Sequence, residues 1–205
     1  VVVLLLLAGV TVAGRGDLAH DYLRAIEVEL SALRVAKPVE TLYFGGGTPS
    51  HLGADGIRGL ARTVLAWHPL VGRYEWTIEA YPLDLDAQLV DALVDLGVSR
   101  LSIGGQSFHD GKLRVLERDH RAGDICRWVA LAHEAAGYEH YEVSNFARRG
   151  FRSRHNEVYW SGAGYYAAGP GAARYVGGVR ETNHRSTTTY LRRVLSGRSP
   201  VAERE

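Results

Sequence analysis

The sequence predicts an α/β protein organised around a parallel sheet. Three observations predict it. Short apolar, β-branched or aromatic runs alternate with amphipathic helical runs three times between residues 17 and 136. Glycine and proline punctuate those runs, as at Pro38 and Gly97. Apolar residues make up 46% of the 205, enough for a sizeable core, while charged residues make up 23% and the net charge is +1. That balance argues against disorder, and against a protein that binds polyanions over its whole surface.

Residues 1–14 (VVVLLLLAGVTVAG) are nearly all apolar. The run is too short to span a bilayer as a helix, and it lacks the positive stretch that precedes a signal-peptide core. A buried β-strand is the favoured reading. The sequence contains no methionine, which marks it as a fragment or as a reading frame begun at a non-Met codon. A helix is expected from Asp17 to Val35, because Leu18, Tyr22, Leu23, Ile26, Leu30 and Leu33 recur at helical spacing. Glu27, Glu29 and Arg34 fall on its other side, and Pro38 blocks continuation.

Glu40–Phe44 reads as a buried strand running into the loop Gly45-Gly46-Gly47-Thr48-Pro49-Ser50. Ala54–Trp67 is helical and Trp76–Ala80 is a second strand. Asp86–Leu96 is a helix with Leu89, Leu93 and Leu96 on one face, ended by Gly97. Arg100–Gly104 is a third strand, followed by helices near Asp110–Glu117 and Asp124–Ala136. After Gly137 the rhythm breaks. Tyr138–Phe146 is strand-like, residues 147–186 show little periodicity, and Thr187–Leu195 forms a last helix.

In a parallel sheet the ligand site lies at the carboxyl ends of the strands. Gly45, Gly46 and Gly47 follow the first such end and let a ligand approach the backbone. Glu79 lies at the end of the second strand and Gln106 just past the third. Three glycines alone fit a tight βα turn equally well; with an acid and an amide at the next two strand ends they predict one mouth. The single cysteine, Cys126, excludes an intrachain disulfide and weakly fits a reducing compartment. One thiolate also cannot hold an iron–sulfur cluster. Within a helical run Cys126 reads as a small buried apolar residue.

GGGTPS, EAYP, LSIGGQSF and LERDH, in that order and spacing, resemble the radical-SAM family that holds oxygen-independent coproporphyrinogen III oxidase and the HemW-type haem chaperone. The resemblance covers most of residues 18–205. It implies a partial radical-SAM (β/α) barrel over residues 1–137. Residues 138–205 would then be an irregular C-terminal segment that carries an HNxxYW motif and begins the C-terminal region. It implies S-adenosylmethionine as cofactor, with Gly45, Gly46, Gly47 and Thr48 at its methionyl part. Glu79 would be a carboxylate near the cofactor, and Gln106 and Arg118 would fix its polar groups. The family usually has Asn where Tyr81 stands, Val where Gly105 stands and Gly where Glu117 stands; Gly105 is expected to loosen its strand end.

Farther on, YEHYEVSNFARRGFRSRHNEVYW resembles the family segment that ends in HNxxYW and is linked to haem binding in the chaperone branch. It implies His155, Asn156, Tyr159 and Trp160 as haem contacts. An imidazole can ligate haem iron, aromatic rings can pack on a porphyrin face, and Arg148, Arg149, Arg152 and Arg154 could pair with propionates. A solvated basic loop with a structural histidine is the competing reading.

The family's CxxxCxxC loop, whose thiolates hold a [4Fe–4S] cluster with SAM on its fourth iron, has no counterpart before Asp17. Two or more βα units that relatives carry between AHEAAG and GYEHYEVSNFA are also lacking, and relatives continue past Val201. No catalytic residue and no metal ligand is therefore assigned. The expectation is a cytoplasmic protein of porphyrin metabolism, a coproporphyrinogen oxidase-like protein or haem chaperone, that is catalytically incompetent as this chain. A non-enzymatic haem-binding module and a non-functional gene remnant are the alternatives. Haem or porphyrin, and a haem-accepting protein, are the expected partners, with no nucleic acid and no membrane span. An incomplete barrel leaves strand edges open to another chain.

Overall fold

The computed structural model describes residues 2–6, 16–107, 109–115, 117–136, 138–142, 145–150 and 164–205. The first half alternates β1 (Val2–Leu6), α1 (Gly16–Ser31), β2 (Val39–Gly45), α2 (Gly53–Trp67), β3 (Leu70–Ala80), α3 (Ala87–Asp95) and β4 (Arg100–Ile103). Helices α4 (Asp110–Val115) and α5 (Ala122–Ala136) follow, then a hairpin of β5 (Tyr138–Glu142) and β6 (Asn145–Arg148). The last stretch holds β7 (Tyr165–Ala168), β8 (Ala173–Val176), β9 (Val179–Asn183), α6 (Thr187–Leu195) and β10 (Val201–Arg204). Among the described residues the strands form one open sheet in the order β10-β9-β8-β7-β1-β2-β3-β4-β6-β5. Strands β1 to β4 are parallel neighbours, and β7 joins β1 in parallel on the other side.

The strand sequences explain which face is covered. Side chains alternate across a strand. Leu42 and Phe44 of β2, Trp76, Ile78 and Ala80 of β3, and Leu101 and Ile103 of β4 share one face and are buried. They pack with Tyr22, Ile26, Ile57, Leu60, Val64 and Leu93 from the helices. Phe44 and Trp76 meet edge to face at 5.4 Å. The helices lie side by side in the contact order α6-α1-α2-α3-α5. The opposite face of the same strands is polar: Thr41 and Tyr43, then Glu75, Thr77 and Glu79, then Arg100 and Ser102. The sheet thus has an oily outer face under helices and a polar inner face.

Local signals fix the ends. Asp86 caps α3 by accepting the Leu89 N–H at 2.7 Å, and Ser186 caps α6 through the Thr189 N–H. Strand β3 begins at Leu70, earlier than its apolar run, because Arg73 and Glu75 interrupt the pattern that marks Trp76–Ala80. Glu75 is compensated: it lies 3.3 Å from buried Arg100, whose Nε–H also donates to Thr77 at 2.7 Å. The strand-like run after Gly137 is two antiparallel strands. The stretch expected to be irregular carries β7, β8 and β9, each of four or five residues. Strands that short show no alternation to read, but Gly177 and Gly178, with φ of 62° and 81°, close β8 and β9 as a two-residue hairpin.

Two expectations are corrected. Glu29 does not face solvent; it is 9% exposed and lies between α1 and the C-terminal strands. Its carboxylate accepts the Gly169 N–H (2.9 Å), the Asn183 amide (2.7 Å) and the Tyr190 hydroxyl (2.5 Å). The apolar stripe of α1 identified the helix, but the partners of Glu29 lie some 140 to 161 residues away and have no local signature. Cys126 is exposed, not buried, because α5 turns Ile125 inward instead.

Candidate functional site

The site is built at the carboxyl ends of β2, β3 and β4. Strand β2 ends at Gly45, and the chain passes through Gly46, Gly47 and Thr48 into a short 3-10 turn, Pro49–Leu52, that leads into α2. Gly45 has no room for a side chain: a Cβ would stand 2.2 Å from the Tyr43 ring and 2.7 Å from the Glu79 carboxyl carbon. Gly46 has φ of 83°, the left-handed region that glycine enters without strain. Its N–H donates to Glu79 at 2.9 Å. The Tyr43 hydroxyl donates to the other carboxylate oxygen in a short hydrogen bond. Glu79 is therefore held from two sides on the polar face.

A second set of bonds ties the glycine turn to the end of β3. The Ser50 hydroxyl accepts the Tyr81 N–H at 2.9 Å and donates to Asp84 at 2.5 Å. His51 Nδ1 lies 2.7 Å from the same Asp84. At the end of β4 the chain turns sharply through Gly104 and Gly105 to Gln106, whose φ is 57°. A non-glycine residue in that region is strained by about 1 kcal/mol or more, and such strain gathers at functional sites. Gly105 does not loosen the strand end as expected: the space that a side chain would fill is taken by Ile125, whose Cδ1 lies 2.9 Å from the Cβ position. Glu117, directly before Arg118, also has positive φ, 52°.

These ends enclose a cavity of about 530 Å³. Gly46, Gly47, Thr48, Glu79, Gln106 and Arg118 all line it, so six of the seven cofactor residues expected from the sequence meet in one place. Gly45 sits behind Glu79 and acts as the close-packing position. The side chains of Gln106 and Arg118 make no bond to another described residue, so an amide and a guanidinium are left for a ligand. A carboxylate, an amide, a guanidinium and an open backbone form a donor set that suits a zwitterionic amino-acid group. Tyr81, expected only as a departure from the family pattern, and Ser102, not expected at all, also line the cavity. Ser102 was legible, since it pairs with Glu79 in register on the same polar face.

The motif containing His155, Asn156, Tyr159 and Trp160 lies outside the described residues. Among the described residues no group of three or more His, Cys, Asp or Glu side chains could hold a metal ion. The full sequence has one cysteine, so the donor set does not fit a [4Fe–4S] cluster. No described helix is long and apolar enough to cross a membrane.

Comparison with known proteins then decides the family. The Radical SAM superfamily profile matches residues 11–144. The chain belongs to the radical SAM superfamily. Within it, the chain is 26% identical over 277 aligned positions to heme chaperone HemW of Lactococcus lactis, taking in 92% of this chain and 73% of that protein. It is 25% identical over 246 positions to heme chaperone HemW of Bacillus subtilis, covering 80% of this chain and 65% of that one. The solved radical SAM enzyme coproporphyrinogen III oxidase (HemN) of Escherichia coli superposes with a TM-score of 0.72 at 17% identity, over 92% of this chain and 65% of that chain. The chain thus spans about two thirds of the length of these radical SAM relatives. About 190 residues of this chain are spread over the 277 positions shared with the Lactococcus protein, so that relative carries segments lacking here.

Proposed function

We propose that this chain is a porphyrin-metabolism protein of the radical SAM superfamily, nearer to the haem chaperones than to the oxidase. It binds S-adenosylmethionine without cleaving it. The observation that carries the proposal is the meeting of Gly46, Gly47, Thr48, Glu79, Gln106 and Arg118 around one cavity at three adjacent strand ends. In this reading Glu79 takes the ammonium of the methionyl group, because Tyr43 and Gly46 already fix its two oxygens. Arg118 and Gln106 take the carboxylate. The glycine turn offers its backbone at a distance that no side-chain-bearing residue permits. Without cluster thiolates the chain has no path for the electron that reductive cleavage needs.

Residues 1–137 form the cofactor-binding part and 138–205 the part that meets haem or porphyrin, through His155, Asn156, Tyr159 and Trp160. A haem-accepting protein is the partner of that part, and the single cysteine fits a cytoplasmic setting. Relatives that are named haem chaperones support this reading over the oxidase.

Isothermal titration of the full chain with S-adenosylmethionine tests the site. Saturable binding is expected, about tenfold weaker in Glu79→Gln, the cost of one charge-assisted contact. Equal affinity in the variant would remove Glu79 from the account. Anaerobic incubation with dithionite, iron, sulfide and S-adenosylmethionine is expected to yield no 5′-deoxyadenosine; clear formation would overturn the non-cleaving role. A Soret shift on haem titration that is lost in His155→Ala is expected, and an unchanged shift would clear His155.

A further inference from the structure

We infer that the protein carries a second binding site, between α1 and β7–β9, for a small neutral aromatic molecule with one N–H or O–H donor. A hollow of about 340 Å³ lies there. It sits at the other end of the sheet from the Glu79 cavity: of its lining residues, Leu33 precedes β2 and His68 precedes β3. Leu30, Leu33, Ala168, Val176 and Val179 give it apolar walls. The Tyr166 ring also lines it and lies against the His68 ring, with centroids 5.6 Å apart and planes 36° apart. An apolar hollow of this size beside aromatic rings suits a ligand of one or two rings. Apolar walls alone do not select an occupant.

His68 supplies the selecting group. It is 1% exposed. Its Nδ1 lies 3.1 Å from the Lys37 carbonyl oxygen, which can only accept, so Nδ1 carries the hydrogen. Burial pushes the imidazole below its usual range, and the Lys37 bond only partly offsets that. The ring is therefore neutral at pH 7, and Nε2 is a bare lone pair. Nε2 has no partner among the described residues, yet it is not sealed and keeps accessible surface. In a ring that exposes so little and lines the hollow, that surface opens into the hollow. An acceptor held in apolar surroundings without a donor is costly, so the site calls for a ligand that brings one.

The ionic groups around the hollow set the ligand's charge. Arg174 and Arg204 share Glu181, at 2.6 and 3.5 Å. Glu29 also lines the hollow, but its oxygens are taken by Gly169, Asn183 and Tyr190. Each charge is thus spent within the protein. A charged ligand would give up its water and gain no free counter-charge, so a neutral one is favoured. The donor of that neutral ligand meets His68 Nε2, and its ring packs between Tyr166 and the aliphatic walls.

The test uses the full chain without S-adenosylmethionine, so failure of the cofactor reading leaves it intact. Indole, 1-methylindole and indole-3-acetate are titrated by calorimetry, and long-range 1H–15N spectra are recorded on 15N-histidine-labelled protein. Indole is expected to saturate. 1-Methylindole, which keeps the ring and loses the donor, should bind about tenfold more weakly, and so should the charged indole-3-acetate. His68 Nε2 should shift toward the hydrogen-bonded range with indole. In His68→Phe the preference for indole over 1-methylindole should vanish. Val179→Trp, which fills the hollow, should weaken indole binding at least tenfold while leaving S-adenosylmethionine binding as it was. Either variant serves should the other fail to fold. No saturation by indole, equal or tighter binding of 1-methylindole or indole-3-acetate, an unmoved His68 signal, a preference retained in His68→Phe, or unchanged affinity in Val179→Trp would each overturn the site.

Discussion

Replacing Glu29 by alanine tests how the two ends of the chain are joined. The carboxylate collects three donors from the C-terminal part: the Gly169 N–H, the Asn183 amide and the Tyr190 hydroxyl. Tyr190 and Asn183 are 0% and 3% exposed, so neither can turn to solvent. Asn183 keeps one bond, to the Gly169 carbonyl at 2.9 Å. An orphaned buried donor costs roughly 1–3 kcal/mol. With partial entry of water, the loss in Glu29→Ala comes to about 3–5 kcal/mol, a large part of the ~5–15 kcal/mol that holds a domain folded. Urea unfolding, read through buried Trp76, measures it. A loss under about 1 kcal/mol would refute the claim that this carboxylate joins α1 to β7–β9.

The same residue sets a pH dependence of unusual sign. Burial pushes the Glu29 carboxyl up, and the bonds from Tyr190, Gly169 and Asn183, with the Arg174 charge, only partly offset that. The folded state then holds its proton more tightly than the unfolded state. The stabilisation is fully present below the ordinary glutamate range and is lost as pH rises through the folded value. Relative to Glu29→Gln, which does not titrate, the wild type should lose ground from acid toward neutral pH; a difference that is flat or grows would contradict the burial argument.

Three further outcomes are expected. Gly45→Ala drives a methyl against Tyr43 and Glu79 and should cost about 1–3 kcal/mol in thermal unfolding, with weaker S-adenosylmethionine binding. Glu117→Gly relieves a left-handed residue and should stabilise by about 0.5–1 kcal/mol in the same assay. Ser50→Ala strands the Tyr81 N–H and leaves Asp84 to His51; it should cost about 1–2 kcal/mol, and Ser50→Thr should restore part of it.

The parallel half of the sheet was legible because β2, β3 and β4 carry apolar or aromatic runs closed by glycine or proline, and because α2, α3 and α6 have clean periodicity. The site was legible for a related reason. A ligand mouth in a parallel sheet sits where strands end, so Glu79, Gln106 and the glycine turn could be matched from spacing alone. What could not be read is what holds those groups in place. Tyr43 steadies Glu79 from two positions before Gly45, a contact fixed by strand parity and register. Ser50 reaches Asp84 across 34 positions, and Glu29 reaches Tyr190 across 161. Bonds of that kind depend on the assembled fold and leave no periodic trace. Of the missed elements, the β8–β9 hairpin alone had a local sign, its Gly177-Gly178 pair.

The walls of the proposed cofactor site do not depend on cluster thiolates, as the bonding pattern of the cavity makes plain. Glu79 is fixed by Tyr43 and Gly46, both from β2 and its turn. That turn is pinned to the end of β3 through Ser50 and Asp84, and the β4 end is set by Gly105, Ile125 and His120. Each support comes from residues 43–125, and none is a thiolate. The cavity is therefore shaped by the sheet and its first helices, which bury the outer face whether or not a cluster is present. A cluster adds affinity and an electron; it does not build these walls. Binding of S-adenosylmethionine should accordingly survive in weakened form, and Ser50→Ala should reduce it several-fold through geometry alone, since Ser50 does not line the cavity. Unchanged affinity in Ser50→Ala, with the fold intact by circular dichroism, would show that the walls hold their spacing by some other means.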